Sequence, residues 1–107
     1  MPIVESLPPP IAPHAPPIAE LCAQNKVGRL ELFGSGTTAN YDPSRSDLDF
    51  LVTFLPTDHR SRQFFGLLFG LEDLLKRNID LLTVEQLTNP FLIEAINSQK
   101  ITIYAVK

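Results

Sequence analysis

The chain has 107 residues, 44% of them apolar, and carries a net charge of −3 with an isoelectric point of about 5.2. That size suits one small domain with a modest core and no second domain, and the acidic balance removes any global basic field that would draw the chain onto nucleic acid. The single cysteine, Cys22, excludes an intramolecular disulfide and a cysteine-based zinc site.

Met1 to Pro17 holds seven of the ten prolines, among them Pro8-Pro9-Pro10 and Pro16-Pro17. Proline fixes φ and has no N–H, so residues 1–17 read as an extended polyproline II arm, either a PxxP-type ligand or a surface arm that packs along the domain or a partner, with His14 solvated inside it. Pro17 suits the first turn of a helix, and Ile18, Leu21, Cys22 and Asn25 fall on one face of it. Cys22 reads there as a small apolar residue on the inner side. Val27 to Phe33 follows as the first strand, with Arg29 and Glu31 alternating with apolar residues, and it delivers a Gly34-Ser35 turn.

Gly34 and Gly36 let backbone N–H groups approach a ligand closely. A short helix begun by Ser35 to Thr38 would present unpaired N–H groups to an anion. Asp42-Pro43 is a turn signal, and Arg45 can pair with Asp47, a phosphate or water. Ser46-Asp47-Leu48-Asp49 then opens into an apolar run. Asp47 and Asp49, two positions apart, point the same way about 6–7 Å apart along a strand. Like charges so placed repel and push a carboxyl pKa upward, which a divalent cation relieves.

Asp49 to Phe54 reads as the second strand, stopped by Pro56. Thr57 or Asp58 can cap a long helix reaching about Arg77, whose core stripe is Phe64, Leu67, Leu68, Leu71, Leu74 and Leu75, widened by Phe65 and Phe69. Arg60 and Arg62 in its first turn oppose the helix dipole, which points to a phosphate, an acidic partner or plain solvation. Phe64 to Leu71 is too short to cross a bilayer and no basic segment precedes a hydrophobic one at the start, so the expected location is the cytoplasm.

Asn78 can end the helix, and Ile79 to Val84 reads as a third strand carrying Asp80 between apolar neighbours, a costly place for an acid without a partner. Asn89-Pro90 has the form of an N-cap and first helical residue, starting a helix through about Asn97 with Phe91, Ile93 and Ile96 as its apolar members. Lys100 to Val106 alternates as a last strand. The alternation of helices and strands predicts an α/β sandwich with a small mixed sheet.

Gly34-Ser35, then Ser46-Asp47-Leu48-Asp49 before an apolar strand, then Asp80 on a later strand, resembles the nucleotidyltransferase superfamily typified by DNA polymerase beta. Within it the chain is similar to the minimal nucleotidyltransferase (MNT) domains, over roughly residues 18–107. The resemblance implies the polymerase beta-like fold. It also implies Asp47, Asp49 and Asp80 as catalytic and metal residues: Asp47 and Asp49 on two magnesium ions, Asp80 on the nucleophile-side ion and as general base. Gly34, Ser35, Thr37 and Ser46 would bind the nucleotide, and AMP would pass from ATP to a hydroxyl. Many members carry an Arg-Gly after the Gly-Ser turn where this chain has Gly36-Thr37-Thr38-Ala39.

Stand-alone proteins of this size resemble the antitoxins encoded beside HEPN-family toxin ribonucleases. That likeness implies a Mg-dependent protein adenylyltransferase that places AMP on a toxin tyrosine, in a complex with the toxin. Two alternatives are an antitoxin that neutralises by binding alone, and a transferase acting on a small molecule or RNA. The low basicity counts against direct nucleic-acid binding.

Overall fold

The computed structural model describes residues 11–34 and 47–106. After a 3-10 turn at Ala12–His14 come α1 (Ala15–Gln24), β1 (Val27–Phe33), β2 (Leu48–Phe54), α2 (Arg60–Leu75), β3 (Ile79–Thr83), a second 3-10 turn at Val84–Gln86, α3 (Pro90–Gln99) and β4 (Ile101–Ala105). The strands form one mixed sheet in the order β3-β2-β1-β4, with β1 antiparallel to both its neighbours and β2 parallel to β3. This is the α/β architecture, small mixed sheet packed with helices, that the residue pattern predicts.

Topology decides which face each helix covers. Both β2 to β3 and β3 to β4 join parallel strands through a helix, and such crossovers are right-handed. The first steps outward to the edge at β3, while the second steps back across β2 and β1 to the other edge. Two right-handed crossovers in opposite directions put α2 and α3 on opposite faces.

The first face carries the main core. Alternation turns Leu30, Leu32, Leu48, Phe50, Val52, Ile79 and Leu81 toward α1 and α2, where they meet Ile18, Cys22, Leu67, Leu71 and Leu75. Helix α1 lies close against α2: a Cβ on Gly70 would strike the Leu21 side chain, and one on Gly66 that of Asn25. Burial pushes the Cys22 thiol up to about 12, so this residue is an inert core member, as read from the sequence. Among the described residues no helix is long and apolar enough to cross a membrane.

Several expectations are corrected. Residues 11–17 are not an extended arm: Ile11 is fully buried in the core and α1 begins at Ala15. Pro13 and Pro16 occupy first-turn positions, where a missing N–H breaks no bond, so apolar burial of Ile11 outweighs the extended preference of proline. Residues 1–10 lie outside the described residues.

Neither Thr57 nor Asp58 caps α2. His59 is its N-cap without a side-chain bond, and the Thr57 hydroxyl accepts from the His59 N–H at 3.3 Å. Lys76, in the left-handed region at φ 56°, closes the helix ahead of Asn78. Phe65 and Phe69 do not widen the buried stripe. They are exposed and stack on each other with ring centroids 5.7 Å apart. Val84 falls in the 3-10 turn after β3. Asn89 caps α3 as expected, its side-chain oxygen accepting from the Phe91 N–H at 2.9 Å, with Ile96 buried but Phe91 exposed.

Candidate functional site

Because β2 and β3 run parallel and β1 runs against them, the end of β1 and the starts of β2 and β3 meet at one end of the sheet. Gly34 leaves β1 there, Asp47 stands just before β2, Asp49 is the second residue of β2, and Asp80 is the second of β3. Phe33 pairs with Asp49 and Asp49 pairs with Asp80, so these three form one row across the sheet. Their neighbours Leu32, Leu48, Phe50, Ile79 and Leu81 face α1 and α2. Phe33, Asp49 and Asp80 therefore face the other way. The third acid lies on the same face as the second, one strand spacing away.

The acids differ in exposure: Asp49 is half-buried, Asp47 and Asp80 are exposed. The Asp49 carboxyl is pushed up to about 6, first by burial, then by a side-chain hydrogen bond with Asp80, then by the charges of Asp80 and Asp47. Gly34 is held against this group. Its φ is +74°, and a Cβ added there would collide with the Asp49 carboxylate. Glycine is thus required twice, for the left-handed backbone and for the space the acid occupies.

Among the described residues no three His, Cys, Asp or Glu side chains stand ready to hold a metal ion. What the row supplies is a hydrogen-bonded carboxyl pair with a further acid near enough to act on it. Carboxylate oxygens are the donors magnesium takes, and the crowding at Asp49 is what a cation relieves, so the residues fit that ion. Ser35, Thr37 and Ser46, with Gly36 to Ala39, Asp42-Pro43 and Arg45, lie outside the described residues.

Other charged candidates resolve differently. Arg60 donates to Glu85 at 2.6 Å, so its unfavourable place at the start of α2 has an internal acidic partner across to the turn after β3. Arg62 is exposed. His14 is half-buried at the end of the first 3-10 turn, away from the extended arm expected for it.

Sequence reasoning missed one cluster. Glu31, read there as an ordinary polar member of β1, has a side chain only 4% exposed and is paired with Lys100 at 3.2 Å and Arg29 at 3.7 Å. It lies on the same face as Asp49, since it stands two residues from Phe33 on β1. The signal was available: Glu31 sits between Leu30 and Leu32 much as Asp80 sits between Ile79 and Leu81. Its partner, 69 positions later, was not.

A mixed sheet with a left-handed glycine just after the first strand and carboxylates opening two adjacent parallel strands defines an α/β domain of the nucleotidyltransferase kind. The chain belongs to the polymerase beta nucleotidyltransferase family, whose model matches residues 17–107. Its fold is similar to a solved structure described as a minimal nucleotidyltransferase, at 26% identity and a TM-score of 0.71, covering 91% of this chain and 96% of the other. It is also similar to a chain of a toxin–antitoxin crystal structure with AMP-PNP, at 21% identity and a TM-score of 0.64, covering 88% and 75%. A third similar structure is the complex of a tri-AMPylated Shewanella oneidensis HEPN toxin with its MNT antitoxin, at 21% identity and a TM-score of 0.58, covering 86% and 70%. No curated protein sequence matches the chain.

Proposed function

We propose that this chain is a cytoplasmic antitoxin that transfers AMP from ATP to a tyrosine hydroxyl of a HEPN-family toxin ribonuclease and so silences it. The observation that carries the transferase part is the Asp49–Asp80 pair in register beside Gly34, with Asp49 raised to about 6. Support for the acceptor comes from the likeness to chains of toxin–antitoxin complexes, one of them with an AMPylated toxin.

The tyrosine oxygen attacks the α-phosphorus of ATP, a P–O bond forms, the bond to the bridging oxygen breaks, and pyrophosphate departs. Asp80, exposed on the edge strand β3, takes the phenolic proton. Asp47 and Asp49 would hold two magnesium ions, with Asp80 joining on the acceptor side, and when bound these ions lower the hydroxyl pKa and neutralise the leaving pyrophosphate. Gly34, with Ser35, Thr37 and Ser46 after it, would cradle the triphosphate through backbone N–H and hydroxyl groups.

Intact-mass measurement of the toxin after incubation with this protein, ATP and magnesium tests the reading. Its mass rises in AMP steps, and Asp47→Asn or Asp49→Asn abolishes the rise; a toxin left unmodified by the parent protein overturns it. A second reading, neutralisation by binding alone, is favoured by one feature, Gly36-Thr37-Thr38-Ala39 standing where many relatives carry Arg-Gly. It predicts that Asp47→Asn neutralises the toxin as well as the parent does.

A further inference from the structure

We infer that Lys100 is a phosphate-contacting residue of this site, held in place by the buried Glu31 and selecting nucleotides with a polyphosphate tail. The inference rests on ATP being the substrate.

Lys100 enters the site by topology. It immediately precedes β4, and Ile101 pairs with Leu32 of β1. The pairing of β1 with β4 ends at Leu32 and Ile101, and carried one residue further that register would set Lys100 next to Phe33, at the end of the row Asp80, Asp49, Phe33. Its extended backbone, φ −65° and ψ 144°, keeps the alternation, and the side chain takes the face of Asp49. The contact with Glu31, which is on that face, agrees. All four strands thus bring a residue of the site to one end of the sheet, and Lys100 is the contribution of β4. Two strand spacings, roughly 10 Å, separate it from Asp49.

Its place in the row selects its ligand. Asp80 lies on the outer strand β3, on the side open to an acceptor, whereas Lys100 lies on the far side of Gly34 and β1, where the triphosphate tail would run. The chain lacks the Arg-Gly cation after the Gly-Ser turn, and Lys100 supplies positive charge from another strand. The ammonium is also prepared for the task. Glu31 is nine-tenths buried and so needs a cationic partner, and it fixes one end of a flexible side chain that stays 32% exposed. A lysine serving only to neutralise Glu31 would be redundant in part with Arg29, which reaches the same carboxylate oxygen.

The test is calorimetric titration of the protein in magnesium buffer with ATP and, separately, AMP. Parent protein prefers ATP, and Lys100→Gln weakens ATP about tenfold while leaving AMP unchanged, because AMP lacks the phosphates Lys100 meets. Lys100→Arg restores most of the preference. Glu31→Gln combined with Lys100→Gln removes the buried charge together with its partner, so it keeps the fold and still loses the preference; a structural lysine would leave the preference intact in this double variant. Equal ATP affinity in parent and Lys100→Gln, or equal weakening of ATP and AMP, overturns the role of Lys100 and leaves the transferase reading standing. Absence of ATP binding by the parent overturns both.

Discussion

The two faces of one four-stranded sheet are built to opposite rules. Toward α1 and α2 every strand contributes apolar side chains, and the members of that cluster are almost wholly buried. On the other face, at the end where β2 and β3 begin, an acid is half-buried beside a second acid with a glycine pressed against it. One face lowers the free energy of the fold, and on the other the crowding of Asp80 and Asp47 on the half-buried Asp49 works against it. The difference teaches where to look for chemistry in so small a domain: at the polar groups whose placement costs stability.

Substitutions can break that contrast. The largest loss is expected on the covered face, where Leu71→Ala should cost about 2–5 kcal/mol in denaturant unfolding, a large share of the stability of so small a domain. A loss under 1 kcal/mol would mean the α2 face is not the main core. Next comes Gly34→Ala, expected to cost about 1–3 kcal/mol through a left-handed φ and the collision with Asp49, with loss of AMP transfer beyond what unfolding explains.

Asp49→Asn should do the reverse. Its folded-state carboxyl lies near 6 against an ordinary value of 3.8, so the folded protein binds that proton more tightly than the unfolded chain. The resulting stability is fully present below pH 3.8 and is lost as pH rises through about 6. At pH 7 in the absence of magnesium, Asp49→Asn should therefore gain about 1–2 kcal/mol after solvent screening, while transfer falls a hundredfold or more. Stability of the metal-free parent minus that of the variant should decline between pH 4 and 6 and level off above; a flat difference would show the acid face carries no strain. The smallest effect sharpens the contrast from the surface. Arg60→Ala, which breaks an exposed pair with Glu85, should change stability by about 0–1 kcal/mol, less at high salt.

Reading the chain in order recovered most of this architecture because local rules dominate there. Alternation marked β1 and β4, apolar runs marked β2 and β3, and Asn89-Pro90 marked the start of α3. The failures share a cause. The proline-rich start through Pro16 favoured an extended arm, but Ile11 found a buried place that no local rule foretells. Phe65 and Phe69 are apolar enough for the core, yet the sheet lies on the opposite side of α2, and they stack on each other instead. Glu31 looked solvated because the cation that satisfies it comes from the far end of the chain.

Taken alone, the amino-acid order determined the types of the elements, the acids that open the strands and the glycine turn before them, since each depends on neighbours within a few positions. Only the tertiary structure decided that Asp80 registers with Asp49, that α3 crosses the face opposite α2, and that Lys100 pairs with the buried Glu31. Those outcomes depend on which strands pair and on the handedness of the crossovers between them, and both are settled by packing among segments dozens of residues apart.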